Sequence, residues 1–151
     1  MDAYEKLKEL KIQLPELITP VAAFVPFTKS GNLVFVSGHV ARKDGKPWVG
    51  KVKSQISVEE AQQAARAVAI DALGVLHVAA ENLNRVQRIL KMTVFVNCDL
   101  DFTEPHLVGN GASELFLQVL GDRVAHARTS IGVAQLPLGA CVEIELIAEL
   151  S

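Results

Sequence analysis

The stretch that decides the fold lies between residues 127 and 145 and reads Ala127-Arg128-Thr129-Ser130-Ile131-Gly132-Val133-Ala134-Gln135-Leu136-Pro137-Leu138-Gly139-Ala140-Cys141-Val142-Glu143-Ile144-Glu145. It contains two runs with the alternation of β-strands, and the residues from Leu136 to Gly139 between them have the composition of a tight turn. Charged side chains interrupt the apolar pattern at Arg128, Glu143 and Glu145. Because ionised groups near a core are costly unless they are paired or used, these positions are candidates for function.

We expect the two runs to form a β-hairpin that closes symmetrically at this turn. In that register Gln135 faces Ala140, Arg128 faces Ile147 and Glu143 faces Gly132. Side chains alternate between the faces of a sheet, so one face is predicted to carry the charged set, Arg128, Ser130, Gly132, Glu143, Glu145 and Ile147. The apolar face that is predicted to pack on helices carries Thr129, Ile131, Val133, Val142, Ile144 and Leu146.

The same register separates Arg128 from Glu143 by about 13 Å along the ladder, which is too far for direct pairing within one chain. Two interpretations of the charged face therefore stay open. In the first, the face is exposed to solvent. In the second, it meets another subunit, and the charges converge on a ligand across the interface.

The composition indicates a single domain of 151 residues that buries roughly 70% of its unfolded surface. Its mean hydropathy of +0.27 is high for a small protein, so we expect apolar surface to be shared between a core and an oligomer interface. No apolar run reaches the roughly 18 residues of a membrane span, and no membrane association is expected. The N-terminus is charged and lacks the apolar stretch of a signal peptide, which predicts a cytoplasmic protein.

Charge and cysteine content narrow the function classes further. The formal net charge of −2 and the absence of a basic stripe argue against nucleic-acid binding. Cys98 and Cys141 form no CxxC pair and are predicted to be buried reduced thiols. None of the histidines has the HxxxH or HxH spacing of a metal site, so no metal is expected.

The N-terminal third of the chain is predicted to supply a short amphipathic helix and a hairpin. The helix is expected over residues 2–11, with Leu7 and Leu10 on one side, and Pro15 and Pro20 then impose an extended segment. The runs 24–28 and 33–37 are β-type and are separated by the turn residues 29–32. Residues 41–56 are predicted to be a loop or a ragged edge strand, in which Trp48 is either exposed or capping another element.

Two long helices and a central strand are predicted after residue 56. A capping box of Ser57 and Glu60 opens a helix that runs to about Asn82, and its apolar face consists of Ala61, Ala64, Ala65, Val68, Ala69, Ala72, Leu73, Leu76 and Ala80. The apolar run 90–96 is predicted to be a central strand. A second helix is expected from about residue 102 or 103 to Leu120, with Pro105 in its first turn and Gly121 at its end. The predicted order is β-β-α-β-α-β-β.

The triplet Gly109-Asn110-Gly111 is unusual inside a helix, because two interior glycines cost about 2 kcal/mol relative to alanine. The glycines either allow close backbone packing or clear space for a ligand beside Asn110, whose amide can donate and accept hydrogen bonds. Both interpretations stay open. His39, at a strand end, is a candidate for a cleft, whereas His126 is predicted to be a hydrogen-bonded edge residue.

Several of these residues together resemble a known family. Ser37-Gly38 after an early strand, Asn110-Gly111 in the second helix, and Arg128 followed by Leu136-Pro137 and Glu143-Ile144-Glu145 are similar to the YjgF/RidA family, historically labelled endoribonuclease L-PSP. The resemblance runs from Val21 to Leu150, and the added N-terminus is similar to a longer-chain branch. It implies an α+β, chorismate-mutase-like fold, in which two long helices cover one face of a mixed sheet. Residues 1–20 would form a helix and arm, and residues 21–151 the core.

The resemblance also implies a function. Members form homotrimers with ligand clefts between subunits, and the best-understood ones hydrolyse enamine and imine intermediates such as 2-aminoacrylate to 2-oxo acids and ammonia, without a cofactor. Arg128 matches the arginine that binds the substrate carboxylate, Glu143 the catalytic glutamate that positions or activates water, and Asn110 an asparagine of the cleft. Further substrate-binding candidates are Gly38 and the positions at which the chain departs from the family pattern, Phe24 for a tyrosine, Ser130 for a cysteine and His39 for a frequent glutamine.

These residue types suit the chemistry. The guanidinium fork of arginine binds a planar carboxylate through two hydrogen bonds, which lysine cannot do. Attack on an imine carbon needs a water whose proton is accepted nearby, which is a role for a carboxylate. Because the departures remove a hydroxyl and a thiol, a second hypothesis is a non-catalytic trimeric binder of small carboxylate metabolites. An endoribonuclease is a third, and the acidic pI of about 6.1 weighs against it.

Overall fold

The two long helices follow the sequence pattern closely. In the computed structural model, which describes residues 1–17 and 23–151, α2 spans Val58–Ala80 and α3 spans Pro105–Leu120. Pro105 occupies the first turn of α3, and Gly121 caps its end with a φ of 69°. All nine residues of the predicted apolar face of α2 are buried. The helical periodicity therefore identified the face that packs on the sheet.

The predicted capping box of α2 forms only in part. The Ser57 hydroxyl accepts a hydrogen bond from the backbone N–H of Glu60 at 3.1 Å. The Glu60 carboxylate instead accepts a hydrogen bond from the indole Nε1 of Trp48 at 2.9 Å. Trp48 is thus a half-buried residue that fastens the 41–56 segment to the start of α2.

The N-terminal helix α1 spans Ala3–Glu9, within the predicted range, and buries Leu7. Its own capping box joins Asp2 and Glu5, each side chain accepting from the other residue's backbone N–H. The extended conformation predicted at Pro20 lies outside the described residues. The remaining short helices are 3-10 turns at Leu83–Arg85, Gly121–Val124 and Pro137–Gly139.

Five strands form one mixed sheet. They are β1 (Phe27–Ser30), β2 (Leu33–Val40), β5 (Val86–Asn97), β6 (Ala127–Val133) and β7 (Val142–Leu150), and their spatial order is β1-β2-β7-β5-β6. Between β2 and α2, the short strands β3 (Arg42–Lys43) and β4 (Lys46–Pro47) form a separate hairpin. The predicted element order and the central position of β5 are confirmed. Only the β5–β6 pair of the large sheet is parallel.

The predicted terminal hairpin is wrong. β6 and β7 are not neighbours, because β5 lies between them and pairs with both. Arg128 pairs with Met92 rather than facing Ile147, and Glu143 pairs with Phe95 and Val40 rather than facing Gly132. The cause is that α3 connects β5 to β6, and a strand–helix–strand unit places its strands parallel and side by side.

The predicted faces change accordingly. Arg128, Ser130 and Gly132 pair with Met92, Val94 and Val96, which are buried beneath the helices. Val142, Ile144 and Leu146 lie on this helix-covered face, as predicted. The prediction that Thr129, Ile131 and Val133 pack on helices is wrong, since alternation places them on the opposite, open face. That open face also carries Glu143, Glu145 and Ile147, so the predicted charged set is split between the two faces.

The open face of the sheet exposes apolar side chains. Phe35 on β2 and Ile131 on β6 are 40% and 42% exposed, respectively. α2 is the one helix among the described residues that is long and apolar enough to cross a membrane by length and composition, and 61% of its apolar window is buried within the protein. A mostly buried core helix meets the same criteria.

Candidate active site

Arg128 is held in place by α3. Its Nη1 donates hydrogen bonds to Oδ1 of Asn110 at 2.9 Å and to Oγ of Ser113 at 3.0 Å, and its Nη2 donates to the backbone carbonyl of His106 at 3.0 Å. Of the five N–H donors of a guanidinium, these bonds leave Nε–H and one Nη2–H without a partner among the described residues. Two adjacent nitrogens therefore remain available to bind a carboxylate.

Ser113 connects Arg128 to His126. Because a guanidinium only donates hydrogen bonds, the hydroxyl oxygen of Ser113 accepts from Arg128, and its own proton is available to Nε2 of His126 at 2.9 Å. The prediction that His126 is a hydrogen-bonded edge residue is confirmed. Ser113 was not predicted, although it lies one helical turn after Asn110 and therefore on the same face of α3.

The two glycines beside Asn110 serve different purposes. A Cβ atom at Gly109 would lie 2.7 Å from Oγ of Ser130 and 3.3 Å from Cζ of Arg128. Gly109 therefore makes room for the site side chains of β6. A Cβ atom at Gly111 would instead overlap the backbone of Gln62 on α2. Gly111 thus fits the interpretation of close backbone packing, whereas Gly109 makes room for Ser130 and Arg128, and space for a ligand beside Asn110 stays a prediction.

Ser130 lies beneath Gly109, and its hydroxyl oxygen is buried without a hydrogen-bond partner in the part of the chain that the structure describes. An unpaired buried hydroxyl is costly, and such groups in native proteins call for an explanation. Ser130 and Arg128 are next-but-one neighbours on β6 and lie on the same face of the strand. The predicted residues Arg128, Asn110 and Ser130 are therefore brought together, and we call them, with Ser113, the arginine group.

Glu143 lies at a second location, beside a bulge in β2. The register between β2 and β7 shifts between Val36 and His39, which contains Gly38. A Cβ atom at Gly38 would lie 2.5 Å from Oε2 of Glu143, so only glycine allows the carboxylate to approach the strand so closely. Burial, and then the nearby Glu145, raise the pKa of the Glu143 carboxyl above its ordinary value, while His39 opposes the shift.

A cavity of about 470 Å³ adjoins Glu143. It is lined by the predicted site residues Gly38, His39 and Phe24, which the structure therefore brings together with Glu143. We call these four residues the glutamate group. Nδ1 of His39 lies 2.7 Å from the backbone carbonyl of Ser37. Because a carbonyl only accepts, Nδ1 carries the proton, and Nε2 is the nitrogen that remains for other partners.

Three charged residues of this cavity, Glu16, Arg42 and Asp71, were not predicted. Asp71 on α2 and Arg42 on β3 both line it. Burial raises the pKa of the Asp71 carboxyl, and His39 and Arg42 act in the opposite direction. Asp71 is a half-buried carboxylate within an alanine-rich helix face. That unusual position was the one sequence signal that could have identified it.

The arginine group and the glutamate group do not meet within one chain. Arg128 and Glu143 are two strands apart and three residues apart along β5, so their Cα atoms are separated by roughly 10 Å in each direction. Their side chains also leave opposite faces of the sheet. The predicted lack of direct pairing is therefore correct, although the predicted hairpin geometry behind it is wrong.

The cysteines are not placed for chemistry. Cys98 and Cys141 are free and buried, as predicted. Burial raises the pKa of both thiols, to about 11 for Cys141. Within residues 1–17 and 23–151, no group of His, Cys, Asp or Glu side chains is placed to hold a metal ion.

Sequence comparison identifies a protein family and a relative to which this chain is similar. A sequence model of the endoribonuclease L-PSP family matches residues 15–150. Protein TCP17 of Trypanosoma cruzi is 42% identical over 147 residues, which cover 96% of this chain and 92% of that protein. The match to the family thus includes both the arginine group and the glutamate group.

Solved structures show the same architecture. The protein Atu1372 of Agrobacterium tumefaciens, of unknown function, is 40% identical with a TM-score of 0.91, covering 99% of this chain and 93% of that one. Escherichia coli TdcF with bound serine is 26% identical with a TM-score of 0.61, covering 88% of this chain and 92% of that one.

Proposed function

The chain belongs to the endoribonuclease L-PSP family, with the YjgF/RidA identity and the chorismate-mutase-like fold that its sequence pattern predicts, and on this premise we propose that it is a cofactor-independent hydrolase of reactive enamine and imine intermediates. Its products would be 2-oxo acids and ammonia. The reaction would take place in the cytoplasm, at clefts between the subunits of a homotrimer. The observation that carries the proposal is the preorganised Arg128, which keeps two donors for a carboxylate.

The arginine group supplies substrate binding. Asn110, Ser113 and the His106 carbonyl fix the guanidinium plane, so little side-chain entropy is lost when a carboxylate binds. TdcF, the Escherichia coli relative solved with bound serine, holds a small molecule that bears such a carboxylate. A 2-imino acid presents the same group next to its reactive carbon.

The glutamate group supplies the proton acceptor. The raised pKa of Glu143 makes its carboxylate a stronger base than an exposed glutamate. Water adds to C2 of the imine while Glu143 takes the proton of the water. Glu143 returns this proton to the imine nitrogen, which gives a carbinolamine. Glu143 then takes the proton of the carbinolamine hydroxyl and delivers it to the nitrogen as the C–N bond breaks, so that ammonia leaves and the carbonyl of the 2-oxo acid forms.

A second copy of the chain would complete the site. One ligand cannot touch Arg128 and Glu143 of the same chain, because they lie on opposite faces of the sheet. If the arginine group of one copy meets the glutamate group of the next, the interface is head-to-tail, and such interfaces form closed rings when the rotation between copies closes. The apolar side chains exposed on the open face, Phe35 and Ile131, supply a surface for burial within a trimer.

The test combines an assay with a measurement of mass. 2-Aminoacrylate is generated in situ, and the release of pyruvate is compared between the natural protein and the variants Arg128→Ala and Glu143→Gln. We expect faster release with the natural protein only, and a mass in solution of three 16.3 kDa chains. A monomer, or release that neither variant slows, would contradict the proposal.

A non-catalytic binder of small carboxylates is the second candidate. It is favoured by Phe24, which lines the cavity near Glu143 and has no hydroxyl to orient water. This candidate predicts that 2-oxo acids bind in a calorimetric titration although 2-aminoacrylate is not turned over. The endoribonuclease activity in the family's name is less supported, because the net charge is −2.

A further inference from the structure

The cavity beside Glu143 is larger than the smallest substrate of the proposed reaction requires. 2-Aminoacrylate has as many non-hydrogen atoms as benzene, which fits in an engineered cavity of about 150 Å³. The cavity here has about 470 Å³, a volume typical of sites for considerably larger ligands. A compound with a three-carbon skeleton would leave most of this space unfilled.

The walls of the cavity are largely apolar and come from separate parts of the chain. Pro15 and Leu17 contribute from the segment after α1, and Val75 from α2, and the remaining apolar lining residues are Phe24, Val40, Pro137 and Leu138. At its mouth, Phe24 and Leu138 are 51% and 70% exposed. A ligand side chain that entered the cavity would therefore bury apolar surface against apolar walls.

The segment after α1 is packed tightly enough to act as a wall. A Cβ atom at Gly74 would lie 2.9 Å from the backbone carbonyl oxygen of Pro15 and 3.4 Å from its ring. The glycine thus allows Pro15 to lie directly on α2. Leu138, which also lines the cavity, has a φ of 62°, a conformation that residues with a Cβ atom rarely adopt. Its leucine side chain is kept at the mouth despite that strain.

The charges in the cavity do not favour a second acidic group on the ligand. Arg42, the guanidinium among the described residues that line this cavity, lies near enough to Asp71 to lower the pKa of its carboxyl against the effect of burial. Glu143 and Glu16 add negative charge to the lining. A dicarboxylate of similar length would meet these acids, whereas a branched hydrocarbon would not.

From this combination we propose that the site selects 2-imino acids, and the corresponding 2-oxo acids, that carry a large apolar side chain over three-carbon compounds. The inference rests on the proposed function. It places the reacting carbon beside Glu143 and directs the side chain toward Val75, Pro15 and Leu17. The class of reaction that would supply such substrates is the oxidation of amino acids with branched or aromatic side chains to 2-imino acids.

The test measures binding by calorimetry with three 2-oxo acids. Pyruvate is the small ligand, 4-methyl-2-oxopentanoate the apolar one, and 2-oxoglutarate the acidic control. We expect 4-methyl-2-oxopentanoate to bind at least tenfold more tightly than pyruvate, because each added methylene in an apolar pocket contributes about that much or more. 2-Oxoglutarate should bind no more tightly than pyruvate. Equal affinities, or tighter binding of pyruvate, would overturn the inference.

A pair of variants tests whether Leu138 contributes to the preference for ligands with a large apolar side chain. Leu138→Asn replaces a wall residue with one that tolerates positive φ, and it should reduce the preference for 4-methyl-2-oxopentanoate over pyruvate about fivefold. Leu117→Asn is the matched control, since Leu117 is 54% exposed on α3 and does not line the cavity. An unchanged preference in Leu138→Asn, or an equal loss in both variants, would contradict the assignment.

A measurement of turnover distinguishes the proposal of a hydrolase from the proposal of selectivity for large apolar side chains. The imine of leucine, formed in situ by an amino-acid oxidase with catalase present, is compared with 2-aminoacrylate. Selective binding without turnover of either compound would overturn the hydrolase and leave the selectivity standing. Turnover with a preference for 2-aminoacrylate would overturn the selectivity alone, and failure to bind any 2-oxo acid would overturn both.

Discussion

Gly111 on α3 lies so close to the backbone carbonyl of Gln62 on α2 that a Cβ atom at position 111 would overlap that carbonyl. We expect Gly111→Ala to lower the free energy of unfolding by about 2 kcal/mol, within the usual cost of overpacking, despite the better helix propensity of alanine. Urea denaturation followed by the fluorescence of Trp48, the single tryptophan, measures it. Leu117→Ala on the exposed side of α3 is the control, and equal stability of the two variants would contradict the prediction.

Gly109→Ala should impair ligand binding rather than folding. The added methyl group would lie 2.7 Å from Oγ of Ser130 and would press on Arg128, and a small displacement of a binding group can cost up to about 100-fold. We expect the affinity for pyruvate to fall about tenfold. In the double variant Gly109→Ala/Ser130→Ala the crowded hydroxyl is gone, so much of the affinity should return. An additive loss in the double variant would show that the contact with Ser130 is not responsible.

Arg128→Lys should weaken the binding of 2-oxo acids by roughly 10- to 100-fold, since a bidentate, charge-assisted pair is replaced by a point charge. The lysine also loses the fixed orientation that Asn110 and Ser113 give to the guanidinium. Calorimetric titration with 4-methyl-2-oxopentanoate measures the loss. Arg88→Lys is the control, because Arg88 pairs with Glu149 on a partly exposed surface, and a similar loss in both variants would contradict the role of Arg128.

Glu143 should give the activity an acidic limb. Burial raises the pKa of its carboxyl, so kcat/KM for imine hydrolysis should rise with pH through a value above the ordinary 4.5. Glu143→Gln should abolish that limb and lower kcat by about 100-fold or more. A pH–rate profile recorded from pH 4 to 9 measures both effects. A profile of the natural protein that is flat across that range would contradict Glu143 as the base.

Glu143 should also make stability depend on pH, but a rise in pH that increases the activity should decrease the stability of the folded state. A carboxyl whose pKa is raised by folding favours the folded state below its unfolded pKa, and this contribution is lost as the pH rises through the folded pKa. Glu143→Gln should therefore be more stable than the natural protein at pH 8, with the advantage shrinking toward pH 4. Thermal melts at both values measure the difference. Lower stability of the variant at pH 8 would contradict the raised pKa of the half-buried carboxyl.

Helix boundaries were predictable because their signals are local. Ser57 and Pro105 mark the starts of α2 and α3, and the alanine spacing identified the buried face of α2. The redirection of Glu60 toward Trp48 was not predictable. It depends on a contact between two segments that the chain brings together only when it folds.

Strand pairing was predicted less well, because a turn signal says nothing about a strand inserted from elsewhere. Leu136–Gly139 does form a turn, yet β5 occupies the place between the strands that the turn connects. The order β5–α3–β6 contained the better signal, since a strand–helix–strand unit pairs its strands in parallel. The wrong pairing therefore placed Arg128 on the wrong face of the sheet, whereas Glu143 lies on the face that was predicted.

The candidate site was predictable where sequence pattern and side-chain chemistry coincide, as at Arg128, Asn110 and Glu143. Ser113 and Asp71 escaped prediction for a physical reason. Each contributes through contacts with distant parts of the chain, Ser113 with β6 and Asp71 with the segment around Arg42. A serine and an aspartate on helices are also common solvated residues.

The irregularity in β2 at Ser37 and Gly38 makes the face of the sheet on which His39 lies depend on the number of residues in β2. It adds one residue to β2, so that Val40 rather than His39 pairs with Glu143. Removing a single residue there would swap the sides on which His39 and Val40 emerge, without altering any chemical group. In homologues that lack this extra residue, the position aligned with His39 would point to the other side of the sheet, and a residue-by-residue transfer of its role would fail.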